Sequence, residues 1–411
     1  MRVAVIGGGI SGLLCAFLLA PRHDVALFER EPRLGGHTHT SLVRHEGRDI
    51  PVDTGFIVFN RRNYPNFGTL LDRLDVPSRP TTMSFSVRDR NFEFGGSSAL
   101  GALGSWSNLL SPRWWAVARG VTSLGRQGKR LLAECADDLT ITDLIARRQF
   151  SPAFVESYLL PMAAAIWSAP RNAILQFPAR FFLAFFDNHG MLDLRERPQW
   201  RTVVGGSQRY IDAMLPTIAR SARLAQGAHS VTRQADGCHI QTSTALERFD
   251  EVILATHADD SLTLLADASD AERDILSAMP FQPNDAVLHT DATLLPRRQR
   301  CWAAWNYRLS GDPDRPAIVT YDLSLLQGLQ TRVPLCLTLN DDASIDPARV
   351  LARHVYHHPL YTIAGQHARR RWAEISGSRR THFCGAYWGN GFHEDGVVSA
   401  LRVCERFGAR L

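Results

Sequence analysis

The chain has 411 residues, 45% of them apolar and 21% charged, an ordinary globular composition at a length that favours two domains over one. Its formal net charge of +5 is carried almost wholly by arginine, with Lys129 the only lysine, so the basic balance does not itself point to nucleic acid. Seven cysteines (Cys15, Cys135, Cys238, Cys301, Cys336, Cys384, Cys404) are scattered with no CxxC pair, which argues against a disulfide framework or a metal site and for free thiols in a reducing cytosol.

The first predicted elements are strand, turn, helix and strand. Residues 3–6 form a continuous apolar run, as a fully buried parallel strand requires. Gly7, Gly8 and Gly9 make a turn, residues 10–20 read as a helix, and residues 25–28 as a second strand ending at Glu29. Gly7, Gly9 and Gly12 thus stand in GxGxxG spacing at a strand-to-helix turn. Gly7 permits the tight turn, Gly9 lets backbone N–H groups approach a pyrophosphate beside Ser11, Gly12 lets the helix pack closely, and the helix N-terminus adds partial positive charge. Glu29 would then accept hydrogen bonds from a ribose. This is a dinucleotide site in outline. Arg2 ahead of an apolar run imitates a signal peptide, but the three glycines inside it argue against cleavage. No later stretch reaches the roughly 18 apolar residues that span a bilayer.

Further along, residues 41–52 read as a strand pair leading into the turn Asp53-Thr54-Gly55-Phe56, and NYPNFGTLLDRLDV reads as a short helix with Leu70, Leu71 and Leu74 on its apolar side. MSFSVRDRNFEF alternates as one strand. In the segment that follows, a helix would place Leu110, Trp114, Val117, Val121, Leu124 and Leu131 on one face and Arg119, Arg126, Lys129 and Arg130 opposite. Such a basic amphipathic helix is either a membrane-surface element or a core-facing helix with solvated arginines. FDEVILATHADDSLTLL reads as a returning buried strand and a helix. DAVLHTDATLLP, CWAAWNYRL, AIVTYDL and PLCLTLND then alternate as strands between Pro, Gly and Asp turns.

EREPRLGG after the second strand resembles the acid, Arg and Gly-Gly of FAD-binding proteins of the flavin amine oxidase and phytoene desaturase superfamily, with Arg33, Gly35 and Gly36, followed by His37, at the matching places. DTGFIVFN, SYLLPMAAAIWS, FFDNHGML, RPQWRTVVGGSQRY, VILATHADDSL and FCGAYWGNGFHEDG narrow the likeness. Together they resemble a bacterial family of FAD-binding, amine-oxidase-like proteins that often accompany cyclopropane-fatty-acid-synthase-type methyltransferases. One departure is VTYDLSLLQGL, where the family is more polar and carries a tryptophan.

The resemblance implies an α/β fold, a Rossmann-type FAD-binding domain (residues 1–80, 200–265 and 370–411) interleaved with an α+β substrate domain (81–199 and 266–369). It implies that Thr54, Gly55 and Phe56 approach the isoalloxazine ring, that the Val231 backbone meets the adenine, and that Gly385, Glu394, Asp395 and Val397 hold the flavin end. There a helix N-terminus would stabilise negative charge. His393 falls where amine oxidases place an aromatic ring beside the flavin, and it and His189 are the candidates for moving a proton. Trp167, Trp200, Tyr307, Tyr387, Trp388 and Phe392 are candidates for an apolar substrate pocket.

Three functions follow as expectations: an FAD-dependent oxidase or dehydrogenase acting on a carbon–carbon bond of a modified fatty acyl chain, with a redox-neutral double-bond isomerase as its variant; an amine oxidase; or a non-enzymatic FAD-binding partner. Many amine oxidases carry a lysine that holds water near the flavin, whereas the sole lysine here lies in the basic helix. With no second GxGxxG for a nicotinamide cofactor, reoxidation would fall to oxygen, a quinone or another carrier. The expected location is cytoplasmic, with a peripheral place at the inner membrane surface if the basic helix meets lipid.

Overall fold

The computed structural model describes residues 1–95, 98–193, 198–310, 312 and 315–411; Arg197, the first residue of the RPQW motif, lies outside them. The opening run forms β1 (Arg2–Ile6), α1 (Ile10–Leu19) and β2 (Asp24–Phe28). β1 is the middle of a five-stranded parallel sheet, flanked by β2 (Val3 opposite Val25, Val5 opposite Leu27) and by Glu251–Leu254, with Ala222–Arg223 and Thr381–Phe383 at the edges. Both faces of β1 are covered, which is why Val3, Ala4, Val5 and Ile6 are all apolar and buried. Every residue of α1 is buried as well, because the final helix His393–Cys404 covers the side turned away from the sheet.

A second sheet has seven strands in the order Val350–Pro359, Phe281–His289, Cys336–Leu339, Ile318–Asp322, Trp305–Arg308, Phe85–Arg88, Glu93–Gly95. All neighbours are antiparallel except Trp305–Arg308 against Phe85–Arg88. Aromatic helices, chiefly Leu160–Trp167 and Ala179–Asn188, form a separate core against it through Trp167, Phe182, Phe185 and Phe186.

Three details depart from the sequence-based expectations. MSFSVRDRNFEF is two strands, because the chain turns at residues 89–91 and Asp89 N–H donates to the Phe92 carbonyl at 2.7 Å. The amphipathic helix spans Pro112–Glu134, with Pro112 in its first turn, so Leu110 lies outside it and is exposed. Val117, Leu124 and Leu131 face inward, and Gly120 and Gly128 let Phe154 and Leu192 press against the helix. The strand Val350–Pro359 has no counterpart among the expected elements; it runs the whole length of Phe281–His289.

One buried carboxyl ties Ser207 and Gln327 to the first third of the chain. Asp53 ends the hairpin Thr40–His45/Arg48–Asp53. Its oxygens accept from Thr40 Oγ1 (2.5 Å), Ser207 N (2.8 Å), Ser207 Oγ (2.9 Å) and Gln327 Nε2 (3.1 Å). Gly206 precedes this anchor at φ +94°, and a Cβ there would lie 2.5 Å from Thr40 Cγ2. Burial raises the Asp53 pKa to about 6. Because every partner is a donor, Asp53→Asn turns an amide N–H₂ against N–H and O–H groups. It should cost about 1–3 kcal/mol, read as a lowered midpoint in urea unfolding; an unchanged midpoint would show that these bonds are individually dispensable.

Candidate functional site

A cavity of about 1350 Å³ runs between the two sheets. That exceeds the roughly 300–1,000 Å³ of a pocket for one small ligand, and its two ends differ chemically.

At one end the wall is glycine and backbone. Gly7, Gly9 and Ser11 line it, with Glu29, Arg33, Gly35, Gly36 and His37. A Cβ on Gly9 would meet nothing within 4 Å, so its missing side chain opens directly on the cavity. Gly9 is also the N-cap of α1 and makes no side-chain cap, leaving first-turn N–H groups for a ligand. Glu29 Oε2 accepts from Gly8 N (2.7 Å) and Oε1 from Glu31 N (2.8 Å), so this carboxylate shapes the turn while it lines the cavity. Arg33 donates to the carbonyls of Gly36 (2.9 Å) and Thr38 (3.1 Å), fixing the Gly-Gly loop. Thr54, Gly55 and Phe56 follow along the wall. Phe56 N donates to the His37 carbonyl at 2.8 Å, and a Cβ on Gly55 would sit 1.9 Å from that oxygen.

The final helix brings a second N-terminus to the same wall. Phe392 and His393 line the cavity beside Gly385 and Tyr387. Ser11 Oγ donates to the Gly396 carbonyl at 2.9 Å, and a Cβ on Gly396 would lie 2.8 Å from Ile10 Cγ2, so the two helix starts touch. His393 lies flat on Phe56, with ring centroids 3.8 Å apart, and shares a hydrogen bond with Tyr210 Oη (3.0 Å), which in turn meets Thr38 Oγ1 at 2.6 Å. Burial pushes the His393 pKa down to about 3, so the ring stands neutral against Phe56.

Several expected site residues do not line the cavity but hold the chain around it. Gly12 is the packing glycine expected of the motif: a Cβ there would stand 1.9 Å from the Gly7 carbonyl oxygen. Val231 is in the core, its carbonyl accepting from Ala266 N (3.1 Å), while Gly227, Ala228 and His229 reach the cavity instead. Glu394 holds the start of helix Pro65–Arg73, accepting from Asn66 N (3.0 Å), Asn66 Nδ2 (2.7 Å) and Phe67 N (2.9 Å). Asp395 accepts from Phe392 N (2.9 Å) within its own helix start. Val397 and Trp388 pack in the core around α1, and Tyr307 packs on the helical cluster beyond the cavity.

The strand Val350–Pro359 supplies a wall that the sequence reading missed. His354, Tyr356 and His358 alternate along it; Tyr356 and His358 approach His37 at ring separations of 5.2 and 5.4 Å, and His354 approaches His39 at 4.4 Å. His357 lies 6.0 Å from His257. Tyr356 Oη meets Thr54 Oγ1 at 2.8 Å, joining this strand to the turn Thr54-Gly55-Phe56. The available signal was the period-two spacing of His, Tyr and His in RHVYHHP.

The other end is aromatic. Trp167, Phe185, His189, Trp200 and Phe392 line it with Phe85, Tyr158, Met162, Trp305 and Tyr321. Phe185 stacks between His189 (3.8 Å) and Phe392 (4.9 Å) and meets Trp167 at 4.9 Å. His189 Nδ1 pairs with the Phe185 carbonyl at 3.0 Å, which requires the proton on Nδ1 and leaves Nε2 with a lone pair. Trp167 Nε1 is buried without a hydrogen-bond partner among the described residues. The sole lysine, Lys129, is not in this wall; it pairs on the outside with Asp193 at 3.1 Å.

Residues 10–294 match the profile of flavin containing amine oxidoreductases. A carotenoid phi-ring synthase of Streptomyces griseus is 27% identical over 279 residues, which are 62% of this chain and 52% of that protein, so the match spans about half the length of that curated relative. Among solved structures, the CLA-producing fatty acid isomerase of P. acnes superposes with TM-score 0.69 at 17% identity, covering 99% of this chain and 98% of that one. Cyclohexylamine oxidase of Brevibacterium oxydans IH-35A gives TM-score 0.71 at 14% identity over 99% of both chains. These structural likenesses establish the α/β fold with a Rossmann-type unit and a second unit.

The desolvated histidines around the cavity set the acid limit of this site. Desolvation lowers His37, His358 and His393 to about 3, and His39, His189 and His257 to about 4. Each is neutral when folded but takes a proton near 6.5 when unfolded, so the unfolded chain binds more protons as pH falls below 6.5. Asp53, Asp322 and Asp395, raised to about 6, work in the opposite sense but are fewer. The thermal midpoint should therefore fall steeply from pH 6.5 to 4 and stay flat from 6.5 to 8. A midpoint independent of pH down to 4.5 in calorimetry would contradict the buried, neutral placement.

Proposed function

The chain belongs to the flavin containing amine oxidoreductase family, and on that footing we propose that this FAD-dependent oxidoreductase works on the hydrocarbon chain of a lipid, dehydrogenating a carbon–carbon bond of a modified fatty acyl group. The observation that carries the reading is the aromatic end of the cavity: Trp167, Phe185, Trp200 and Phe392 enclose it and no lysine lines it. An acyl chain gains from burial there in proportion to its apolar area, whereas an ammonium group would find no carboxylate among the described residues of that wall.

The chain's residues fit FAD. The open face of Gly9, the start of α1 and the loop Gly35-Gly36 suit the pyrophosphate, Glu29 suits a ribose, and Thr54, Gly55, Phe56 and the start of His393–Cys404 suit the flavin end. Ala228, in place of Val231, is the backbone position offered to the adenine. Residues 1–80, 200–265 and 370–411 make up this cofactor unit, and the rest the substrate unit. When bound, FAD supplies a two-electron acceptor.

The protein's own work is orientation, exclusion of water and proton movement. The stacked rings of Phe185, His189 and Phe392 hold an acyl chain and keep solvent from it. His189 accepts through Nε2 the proton lost from the carbon next to the oxidised one, its tautomer set by the Phe185 carbonyl. Net dehydrogenation then needs an external two-electron acceptor such as oxygen or a quinone. A redox-neutral double-bond isomerisation needs none, and the single GxGxxG in the chain is compatible with it.

The test is anaerobic. Flavin bleaching is followed on adding methyl-branched or unsaturated phospholipid and, separately, a panel of amines, with product double bonds mapped by mass spectrometry. Bleaching by lipid is the expected result, bleaching by amines alone would overturn it, and moved double bonds without net bleaching would select the isomerase. His189→Gln should slow the lipid reaction by about 10²–10⁴-fold with flavin content unchanged; an unaltered rate would leave His189 as wall only.

A further inference from the structure

We infer that the segment from Leu100 to Trp115 is a docking surface for an anionic phospholipid membrane, through which the enzyme reaches its acyl substrate. The inference rests on the lipid reading above for its purpose, but on a separate surface for its evidence.

That surface is apolar and open to solvent. Leu110 is 89% exposed, Trp106 67%, Leu100 56%, Trp115 45% and Leu109 41%. Single exposed apolar residues are ordinary on a soluble protein, but a contiguous group of this size marks an interaction site. The group is held together: Trp115 Nε1 donates to the Leu109 carbonyl at 2.8 Å, Trp114 Nε1 to the Ala102 carbonyl at 3.1 Å, and the two indoles meet edge to face at 4.8 Å. The short helix Ala99–Leu103, the turn Trp106–Leu110 and the start of Pro112–Glu134 therefore present one built face.

Its charge selects the occupant. No acidic residue occurs between Glu93 and Glu134. Arg119 follows Trp115 by one turn on the same helix face, and Arg126 follows Arg119 by two. Both are exposed and without an ion-pair partner among the described residues, unlike Arg113 with Asp89, Lys129 with Asp193 and Arg130 with Glu134. Arg300 is exposed and its carbonyl abuts Gly101, which brings a further cation to the rim. Apolar side chains with tryptophan among them, and arginines on a stretch that itself carries no acid, match the acyl and headgroup levels of an anionic leaflet. Each arginine near such a surface strengthens partition about fivefold.

The surface also adjoins the right end of the cavity. Trp114, behind the exposed face, packs on the cluster of Val87, Phe92, Phe94 and Val117 against which Phe85 and Tyr158 also pack, and these last two line the aromatic end. A membrane seated on Leu100–Trp115 thus lies over the side of the protein where an acyl chain would be accepted, away from the dinucleotide wall.

The flavin-loaded protein is mixed with sucrose-loaded vesicles of phosphatidylcholine alone and with phosphatidylglycerol, and sedimented. Sedimentation with the anionic vesicles and release by high salt are expected. Leu110→Asp and, separately, Arg119→Glu with Arg126→Glu should each weaken binding at least tenfold while flavin content and thermal midpoint stay at wild-type values. Brominated phospholipid should quench tryptophan emission less in Trp106→Leu than in wild type. Binding that none of these substitutions alters, or no binding at all, would overturn the surface. So would a wild-type dimer that Leu110→Asp converts to monomer in light scattering, which would assign the face to a second copy. Bleaching by detergent-dispersed lipid without vesicle binding removes the surface and keeps the substrate reading. Vesicle binding without bleaching does the reverse.

Discussion

The site depends on backbone meeting backbone with no side chain between. Gly12 approaches the Gly7 carbonyl so closely that a Cβ would stand 1.9 Å away, Gly55 approaches the His37 carbonyl to the same degree, and Gly36 would place its Cβ 3.1 Å from Gly9 Cα. Gly396 brings the last helix against the side chains of Ile10 and Ser11. Each approach draws a separate stretch of chain onto one floor of N–H groups and helix starts, where an anionic ligand can be bound without a formal cation. A methyl group at any of these points would lift one segment from the others and remove donors from the floor.

Around that floor the charges are kept occupied. Asp53 and Glu394 are buried and Asp395 half-buried, yet each is bonded to backbone or hydroxyl donors, so they order the loops and do not oppose an anion in the cavity. Arg33 holds the carbonyls of Gly36 and Thr38. The imidazoles of His37, His257, His354 and His358, half-buried around the cavity, stay neutral and offer polar contacts without charge. A low-dielectric cavity of this kind strengthens whatever electrostatics a bound cofactor brings. The aromatic end continues the same logic, with Phe185 and its stacked neighbours excluding water from the place where carbon would react.

Much of the architecture was legible from local pattern. The buried β1, the glycine turn, α1 and β2 appear where the apolar runs and the GxGxxG spacing put them, as do the hairpin before Asp53 and the helix Pro65–Arg73. The site was read less evenly. Gly9, Glu29, Thr54, Phe56, His189 and Trp200 line the cavity, but Val231 does not. A β pattern cannot tell which residue of 227–231 faces a ligand, since Ala228 and Val231 differ there only by where the strand leaves the sheet. The His-Tyr-His strand escaped notice because Val350–Pro359 is half polar and pairs with a partner some seventy residues earlier.

By itself the chain of residues determined what local sterics can determine: glycine where backbone must bend or approach, apolar runs where a strand is covered on both faces, an acid at the end of β2. Tertiary structure alone decided which of those groups face one another. Glu394 capping the helix at Asn66, Ser207 closing on Asp53, and Tyr356 meeting Thr54 each join residues more than a hundred positions apart. No spacing rule reaches so far, because such contacts are selected by the packing of whole sheets and helices and not by neighbours along the chain.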